Sequence, residues 1–174
     1  MKRTRKGFTL VELLIVVAIM ASLSAMMMMA SSESIDIANA NAILGNLHSM
    51  KVSAYEMYMT VPEVAALNAI TGNDQAVTLT GETTATTVGK ILAGRMGRKA
   101  LVAADAYSIV GDDKHWYVVY ELQGTDSPLV KQILADKAAQ AGLLGGAGGG
   151  AAIFDVDPPL DFITTHTHAA LMVR

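Results

Sequence analysis

The first 30 residues contain the feature that most limits what this chain can fold into. An apolar stretch of 23 residues runs from Phe8 to Ala30, and its only ionisable side chain is Glu12. As a helix with about 1.5 Å rise per residue it would measure about 34 Å, enough to cross a bilayer core of about 30 Å. Four cations and no acid precede the stretch: Lys2, Arg3, Arg5 and Lys6. We therefore predict a membrane-spanning helix whose N-terminus stays on the cytoplasmic side.

The boundary between the cations and the apolar stretch carries a small residue, Gly7. An ordinary secretory signal is cleaved after its apolar region at a small-residue site, and no clear site of that kind follows here. The string from Gly7 to Ile19, GFTLVELLIVVAI, resembles without a gap the N-terminal motif of type IV prepilins and pseudopilins. Beyond about residue 40 the resemblance is one of architecture only.

The resemblance implies a role for three residues of this motif. Prepilin peptidase would remove the basic leader, residues 1–7, by cutting between Gly7 and Phe8, and Phe8 would become the N-methylated first residue. Glu12 would pair with the amino terminus of a neighbouring subunit during assembly. Physical chemistry also marks Glu12, because a carboxylate in a membrane helix costs at least a few kcal/mol unless it is neutral or partnered. The alternative is that Glu12 lies close enough to the interface to reach water.

The helical pattern continues past the apolar stretch but becomes amphipathic over residues 31–60. Its apolar positions approximate a period of 3.6 residues and are Ile35, Ala38, Ala42, Leu44, Leu47, Met50, Ala54, Met57 and Val61. We assign Ser53 to the opposite, polar face. One helix is expected from about Phe8 to about Thr60, because Pro62 restricts the residue before it to extended conformations. Residues 8–30 would form its transmembrane, filament-core half.

Residues 61–174 are predicted to form a globular α+β head. Residues 106–110 and 115–122 are rich in β-branched and aromatic side chains and flank turn residues, which indicates a hairpin. Ser127 and Pro128 are typical of a helix start, and that helix would reach Gly142. We interpret residues 71–88 as a loop with at most one short strand, 89–104 as a basic amphipathic helix, 145–150 as a flexible linker and 162–173 as strand-like. With the long helix of residues 8–60, which we call the spine helix, these elements agree with the fold that the resemblance implies, a type IV pilin-like fold with a small antiparallel sheet.

Two groups of side chains are candidate metal ligands. Asp155, Asp157 and Asp161 offer the hard oxygen ligands that Ca²⁺ prefers, and major pseudopilins have a calcium loop near the C-terminus. Ordinary turn residues are the alternative, since Asp is common in turns and three carboxylates are too few for calcium alone. His166 and His168 would share one face of a strand, where exposed surface residues are the simpler interpretation.

Composition argues against several other classes of function. Removing the leader leaves nine Lys and Arg against sixteen Asp and Glu, and an acidic chain is a poor ligand for nucleic acid. The chain contains no cysteine, so it has neither a disulfide nor a thiol nucleophile. We find no hydrolase elbow, zinc-protease motif or dinucleotide fingerprint, and therefore predict no enzymatic activity and no resident cofactor apart from the candidate calcium.

The function implied by the resemblance is that of a structural subunit of a type IV pilus-like filament. Its partners would be other copies of itself, prepilin peptidase, an inner-membrane platform protein and an assembly ATPase. The precursor would be a single-pass protein of the cytoplasmic membrane, and the product a surface or periplasm-spanning filament. The alternatives are a pseudopilin of a type II secretion or DNA-uptake machine, and a non-polymerising membrane-anchored protein that binds a ligand or metal.

Overall fold

The computed structural model describes residues 7–97, 106–148, 150–154 and 160–174. The chain divides into two compact units, Met1–Asp36 and Ile37–Arg174. The helices are α1 Leu10–Thr60, α2 Pro62–Ala65, α3 Val88–Met96, α4 Pro128–Ala141 and α5 Ala151–Phe154. The strands are β1 Ala76–Val77, β2 Thr86–Thr87, β3 Tyr107–Gly111, β4 Trp116–Glu121, β5 Leu144–Gly146 and β6 His168–Met172. A long N-terminal helix followed by small antiparallel sheets is the predicted α+β layout.

The first unit consists of the start of α1 and the residues before it. Every residue from 7 to 35 is exposed, including all the apolar side chains. Of the helices that the structure describes, α1 is the one long and apolar enough to cross a membrane by length and composition. A signal sequence passes the same test, but a soluble core helix would be mostly buried, whereas the apolar part of α1 is not.

In the second unit, α1 contributes one face to the core. Its buried residues are Ala40, Ile43, Leu44, Leu47, Met50, Ser53, Ala54 and Met57. The predicted stripe is therefore correct from Leu44 onward. It is wrong at Ile35, Ala38 and Ala42, which are exposed, because the buried face extends back through Ile43 to Ala40 instead. Ser53, assigned to the polar face, is buried.

The main sheet has four antiparallel strands in the order β3-β4-β6-β5. Alternate residues of β4 enter two different core clusters, as strand geometry requires. Val118 packs in the cluster that contains the buried face of α1, whereas Tyr117 and Val119 pack in the cluster that contains Phe154 of α5. Helices α1 and α5 therefore cover opposite faces of this sheet.

Two tyrosines on the α1 side of the sheet form a polar pair inside the core. The Tyr107 hydroxyl accepts a hydrogen bond of 3.2 Å from the Asn46 side chain, and the Tyr120 hydroxyl donates one of 2.8 Å to Asp126 Oδ2. The ring centroids are 4.8 Å apart. Burial raises the pKa of both phenols above their ordinary value, and for Tyr120 the bond to Asp126 raises it further. The pair thus stays neutral at physiological pH.

The predicted hairpin and the fourth helix are confirmed. Strands β3 and β4 pair in register around a turn in which Asp112 Oδ1 accepts the backbone N–H groups of His115 and Lys114. These bonds hold the pKa of the Asp112 carboxyl below its usual value. Helix α4 begins with Ser127 Oγ accepting the N–H of Val130, and it ends at Gly142 in the left-handed conformation.

The glycine tract is not a linker, because its first residues form strand β5. Leu144–Gly146 pairs with β6, and all three residues are buried. A Cβ at Gly145 would lie 2.7 Å from Phe162 Cα and would also meet the ring of His166. The glycines here allow close packing of backbone and side chains rather than flexibility.

Other boundaries also differ from the prediction. Residues 71–88 contain two short paired strands, β1 and β2, and not at most one. Helix α3 ends at Met96, where Gly97 adopts the left-handed conformation that terminates helices, and residues 98–104 of the predicted helix lie outside the described residues. The final strand begins only at His168, because residues 164–165 form a turn.

Candidate assembly and processing site

The two residues at the predicted cleavage point precede α1 and are fully accessible. Gly7 and Phe8 have no helical or strand conformation, and Phe8 is 86% exposed. No described heavy atom would come within 4 Å of a side chain added at Gly7, apart from its chain neighbours. Within the described part of the chain, nothing covers the peptide bond between Gly7 and Phe8, so this bond is accessible to an enzyme.

Glu12 is fixed by Thr9 at the first turn of α1. The Thr9 backbone N–H donates to Glu12 Oε2 at 2.8 Å, and the Thr9 hydroxyl donates to the same oxygen at 2.9 Å. In return, the Glu12 backbone N–H lies 3.2 Å from Thr9 Oγ1. This reciprocal arrangement is a capping box, which satisfies backbone donors that would otherwise have no partner at a helix start.

Thr9 is the functional residue that the sequence reasoning missed. The interpretation of the motif as a processing signal makes no use of its Thr-x-x-Glu spacing, from Thr9 to Glu12. That spacing, directly before an apolar run, is itself a signature of a capped helix start. It would have predicted both the first helical residue, Leu10, and the local partner of Glu12.

In the rest of the first unit, residues 13–30 carry apolar side chains apart from two serines, and the serine hydroxyls of the unit are bonded within the helix. Five serines in this part of α1 donate to carbonyls three or four residues earlier: Ser22, Ser24, Ser31, Ser32 and Ser34. Such back-bonding lets a hydroxyl enter an apolar environment without losing its hydrogen bond. Residues 13–30 can therefore contact lipid or other helices along their whole length.

The predicted calcium ligands lie only partly within the described residues, so the structure does not test them as a group. Asp155 and Asp157 lie outside the described residues, and Asp161 is exposed and bridges to Leu144 beside β5. His166 Nδ1 accepts the backbone N–H of Ile163 at 3.2 Å. Within the described residues, no group of three or more His, Asp or Glu side chains could hold a metal ion. The calcium site remains a prediction.

Comparison with known proteins gives one match, to the N-terminal segment. Residues 2–28 match the family model described as the prokaryotic N-terminal methylation motif. This segment is the class III signal peptide of type IV pilins. No curated protein matches the chain, and no solved structure matches it.

The class III signal peptide and the exposed apolar helix support a membrane-anchored precursor that resembles type IV pilins in this N-terminal segment. The motif implies processing by prepilin peptidase and assembly into a filament. It is typical of structural rather than catalytic proteins. The arrangement of a long apolar helix on small antiparallel sheets agrees with that class.

Proposed function

We propose that this chain is the structural subunit of a type IV pilus-like filament. The leader cations hold the N-terminus on the cytoplasmic side, and the globular unit is exported. Prepilin peptidase cuts between Gly7 and Phe8, and the new amino group on Phe8 is methylated. The product is a surface or periplasm-spanning filament, whose subunits are supplied by an inner-membrane platform protein and an assembly ATPase.

Glu12 sets the position of each incoming subunit. Its carboxylate is costly in lipid, and the two donors of Thr9 offset part of that cost in the single chain. Cleavage creates a positively charged amine at Phe8, and a neighbouring copy presents this amine to Glu12. Thr9 supplies hydrogen bonds but no positive charge, and the amine of the neighbouring copy supplies that charge. Pairing between copies is therefore favoured over the isolated helix. It also fixes the axial offset between the copies.

Polymerisation then buries the surface that the bilayer covered. The apolar side chains from Phe8 to Met29 are each at least 43% exposed in the single chain, so a subunit that leaves the membrane must cover them with helices of other copies. A contact that joins two different surfaces and does not close generates an open helical fibre.

The observation that carries this proposal is the coincidence of three features at one helix start. An accessible Gly7–Phe8 bond, a carboxylate held one turn later and an exposed apolar helix occur together, as processing followed by assembly requires.

Electron microscopy of material sheared from cells tests the proposal. We expect filaments that contain this chain. The variant Gly7→Leu should leave uncleaved precursor in the membrane and no filaments, because a bulky side chain replaces the small residue at the cut. Gly124→Leu is the matched control, since this glycine is exposed and has no described atom near its added side chain. An intact leader and no filaments in the unmodified protein would indicate a non-polymerising anchored protein instead.

A further inference from the structure

The globular unit exposes an apolar surface on the outer side of α1, which we call the helix patch. It consists of Val52, Tyr55 and Met59, which are 60%, 50% and 64% exposed. Their spacing of three and four residues places them on one side of the helix. At about 100° per residue this side lies opposite Met50 and Met57, which are buried in the core. Nothing in the described part of this unit covers the helix patch.

A second exposed apolar surface lies beside the edge strand β5, and we call it the edge patch. It consists of Ile153, Leu160 and Ile163, which are 38%, 54% and 50% exposed. The N–H of Gly145 in β5 donates to the Leu160 carbonyl at 3.0 Å. The side chain of Ile153 lies against the neighbouring residue of β5, Gly146.

The helix patch and Ile153 of the edge patch lie on opposite faces of the sheet, whereas Leu160 and Ile163 flank Phe162, which packs in the cluster on the α1 side. The helix patch points away from the sheet on the face that α1 covers. Ile153 belongs to α5, which covers the other face, and the remaining members of the edge patch follow the β5 edge. Helix α1 and the sheet therefore separate Tyr55 of the helix patch from Ile153 of the edge patch within one molecule.

The charged groups beside the patches that have no ion-pair partner among the described residues have opposite signs. Glu56 also borders the helix patch, but it pairs with Arg95 of the same molecule. Lys51 precedes Val52 on α1, and Asp161 follows Leu160 in the edge patch. Neither forms an ion pair with the described residues, where the salt bridge is the one between Arg95 and Glu56. Each patch thus combines apolar side chains with a charge that the other patch complements.

We propose that the helix patch of one copy binds the edge patch of the next copy, with Lys51 facing Asp161 across the contact. The inference rests on the proposed filament and identifies a contact between its globular units. A two-fold contact closes after two copies and cannot continue into the proposed filament. A flat bilayer would reach only one side of the unit. A head-to-tail contact uses both patches of every copy and continues indefinitely.

Cysteine cross-linking in assembled filaments tests this contact, because the natural chain has no cysteine that would interfere. We would place one cysteine in each patch with Tyr55→Cys and Ile153→Cys in the same full-length chain. A disulfide requires Cα atoms within about 7 Å, so these opposite positions cannot be linked inside one copy. The controls are each single variant, and the pair Tyr55→Cys with Thr83→Cys, in which the second cysteine is on an exposed loop.

The expected result is a ladder of dimers, trimers and longer species from oxidised filaments of the double variant. Each single variant and the control pair should give monomer. Filaments without a ladder would overturn this contact and leave the proposed function intact. Dimers from a single variant would also overturn it, since they show a patch meeting its own copy. If the unmodified chain is neither processed nor assembled, the proposed function fails, and the contact fails with it.

Discussion

The carboxylate of Glu12 accepts two hydrogen bonds from Thr9, at 2.8 Å from its backbone N–H and at 2.9 Å from its hydroxyl. The acid that the motif marks for assembly therefore already has a local partner before any second copy arrives. The hydrogen bonds stabilise the helix start and hold the carboxylate beside the future N-terminus of the chain. In the proposed filament, the amine of a neighbouring copy would add an opposite charge to this arrangement.

Two substitutions at Glu12 separate its charge from its capping role. Glu12→Ala removes both, whereas Glu12→Gln keeps a side chain that can complete a capping box and removes only the charge. Because the neighbour's amine needs a negative partner, we expect processed monomer in the membrane and no filaments for both variants. Insertion and cleavage should be at least as efficient as in the natural chain. The measurement is filament yield relative to processed, membrane-bound monomer.

The glutamine variant decides between the two roles. Normal filaments from Glu12→Gln but none from Glu12→Ala would show that capping, and not charge pairing, is what assembly needs. Normal filaments from both would show that packing of the apolar helices alone sets the register.

The tyrosine pair predicts a loss of stability at alkaline pH. Since the pKa of Tyr120 is raised in the fold, its contribution is fully present below the ordinary tyrosine value of about 10 and is lost as pH rises above it. At pH 7 we expect Tyr120→Phe to lower the free energy of unfolding by about 1–2 kcal/mol, through the lost bond to Asp126. The difference between the two proteins should shrink by pH 11. Denaturant unfolding of the detergent-solubilised chain measures both.

The control for this prediction is Tyr55→Phe, which removes a hydroxyl from a half-exposed ring. It should leave the free energy of unfolding and its pH dependence unchanged. A constant difference between Tyr120→Phe and the natural chain from pH 7 to pH 11 would contradict the assignment.

The close packing at β5 predicts a large cost for adding one methyl group. In Gly145→Ala the new Cβ would meet Phe162 Cα at 2.7 Å, so backbone must shift, and we expect a loss of about 1–3 kcal/mol. Gly94→Ala makes the same change inside helix α3 with no described atom near, and should stabilise by about 0.5–1 kcal/mol. Thermal melting compares the two. A Gly145→Ala variant that melts as high as Gly94→Ala would contradict the close packing at β5.

The sequence predicted the spine helix and the hairpin because their signals are local. An apolar run, a stop at Pro62 and alternating β-rich segments depend on neighbouring residues alone. The same holds for the start of α4, where the Ser127 cap and the Pro at the first helical position act within one turn. The prediction that Gly7 and Phe8 are processing residues also rests on a contiguous motif, and their role stays a prediction.

The predictions from sequence are wrong at positions whose environment is decided by contacts with residues distant in the chain. Considered alone, glycines at 145 and 146 indicate flexibility. In the fold, Phe162, His166 and Ile153 approach so closely that a larger residue at these positions would clash. Ile35 and Ala38 fit an apolar stripe, but the core that would bury them begins at Ala40. Hydrophobic pattern and secondary-structure propensity carry no information about which distant segment packs against a given residue.

The calcium loop remains a prediction with a direct thermodynamic test. If Asp155, Asp157 and Asp161 bind Ca²⁺, millimolar calcium should raise the melting temperature of the processed chain, because a ligand that binds only the folded state stabilises it. Asp161→Asn should reduce the shift, and magnesium at the same concentration should give little. An unchanged melting temperature with calcium would leave these residues as turn formers.

The central claim, that this chain is cut at the Gly7–Phe8 bond and then polymerises, is tested most directly by mass spectrometry of its N-terminal peptide from sheared filaments. We predict a peptide that begins at Phe8 and carries one methyl group on its amino nitrogen. A chain that begins at Met1, or well beyond Ala30, would contradict the account, because neither could present a free amine beside the Glu12 of its neighbour.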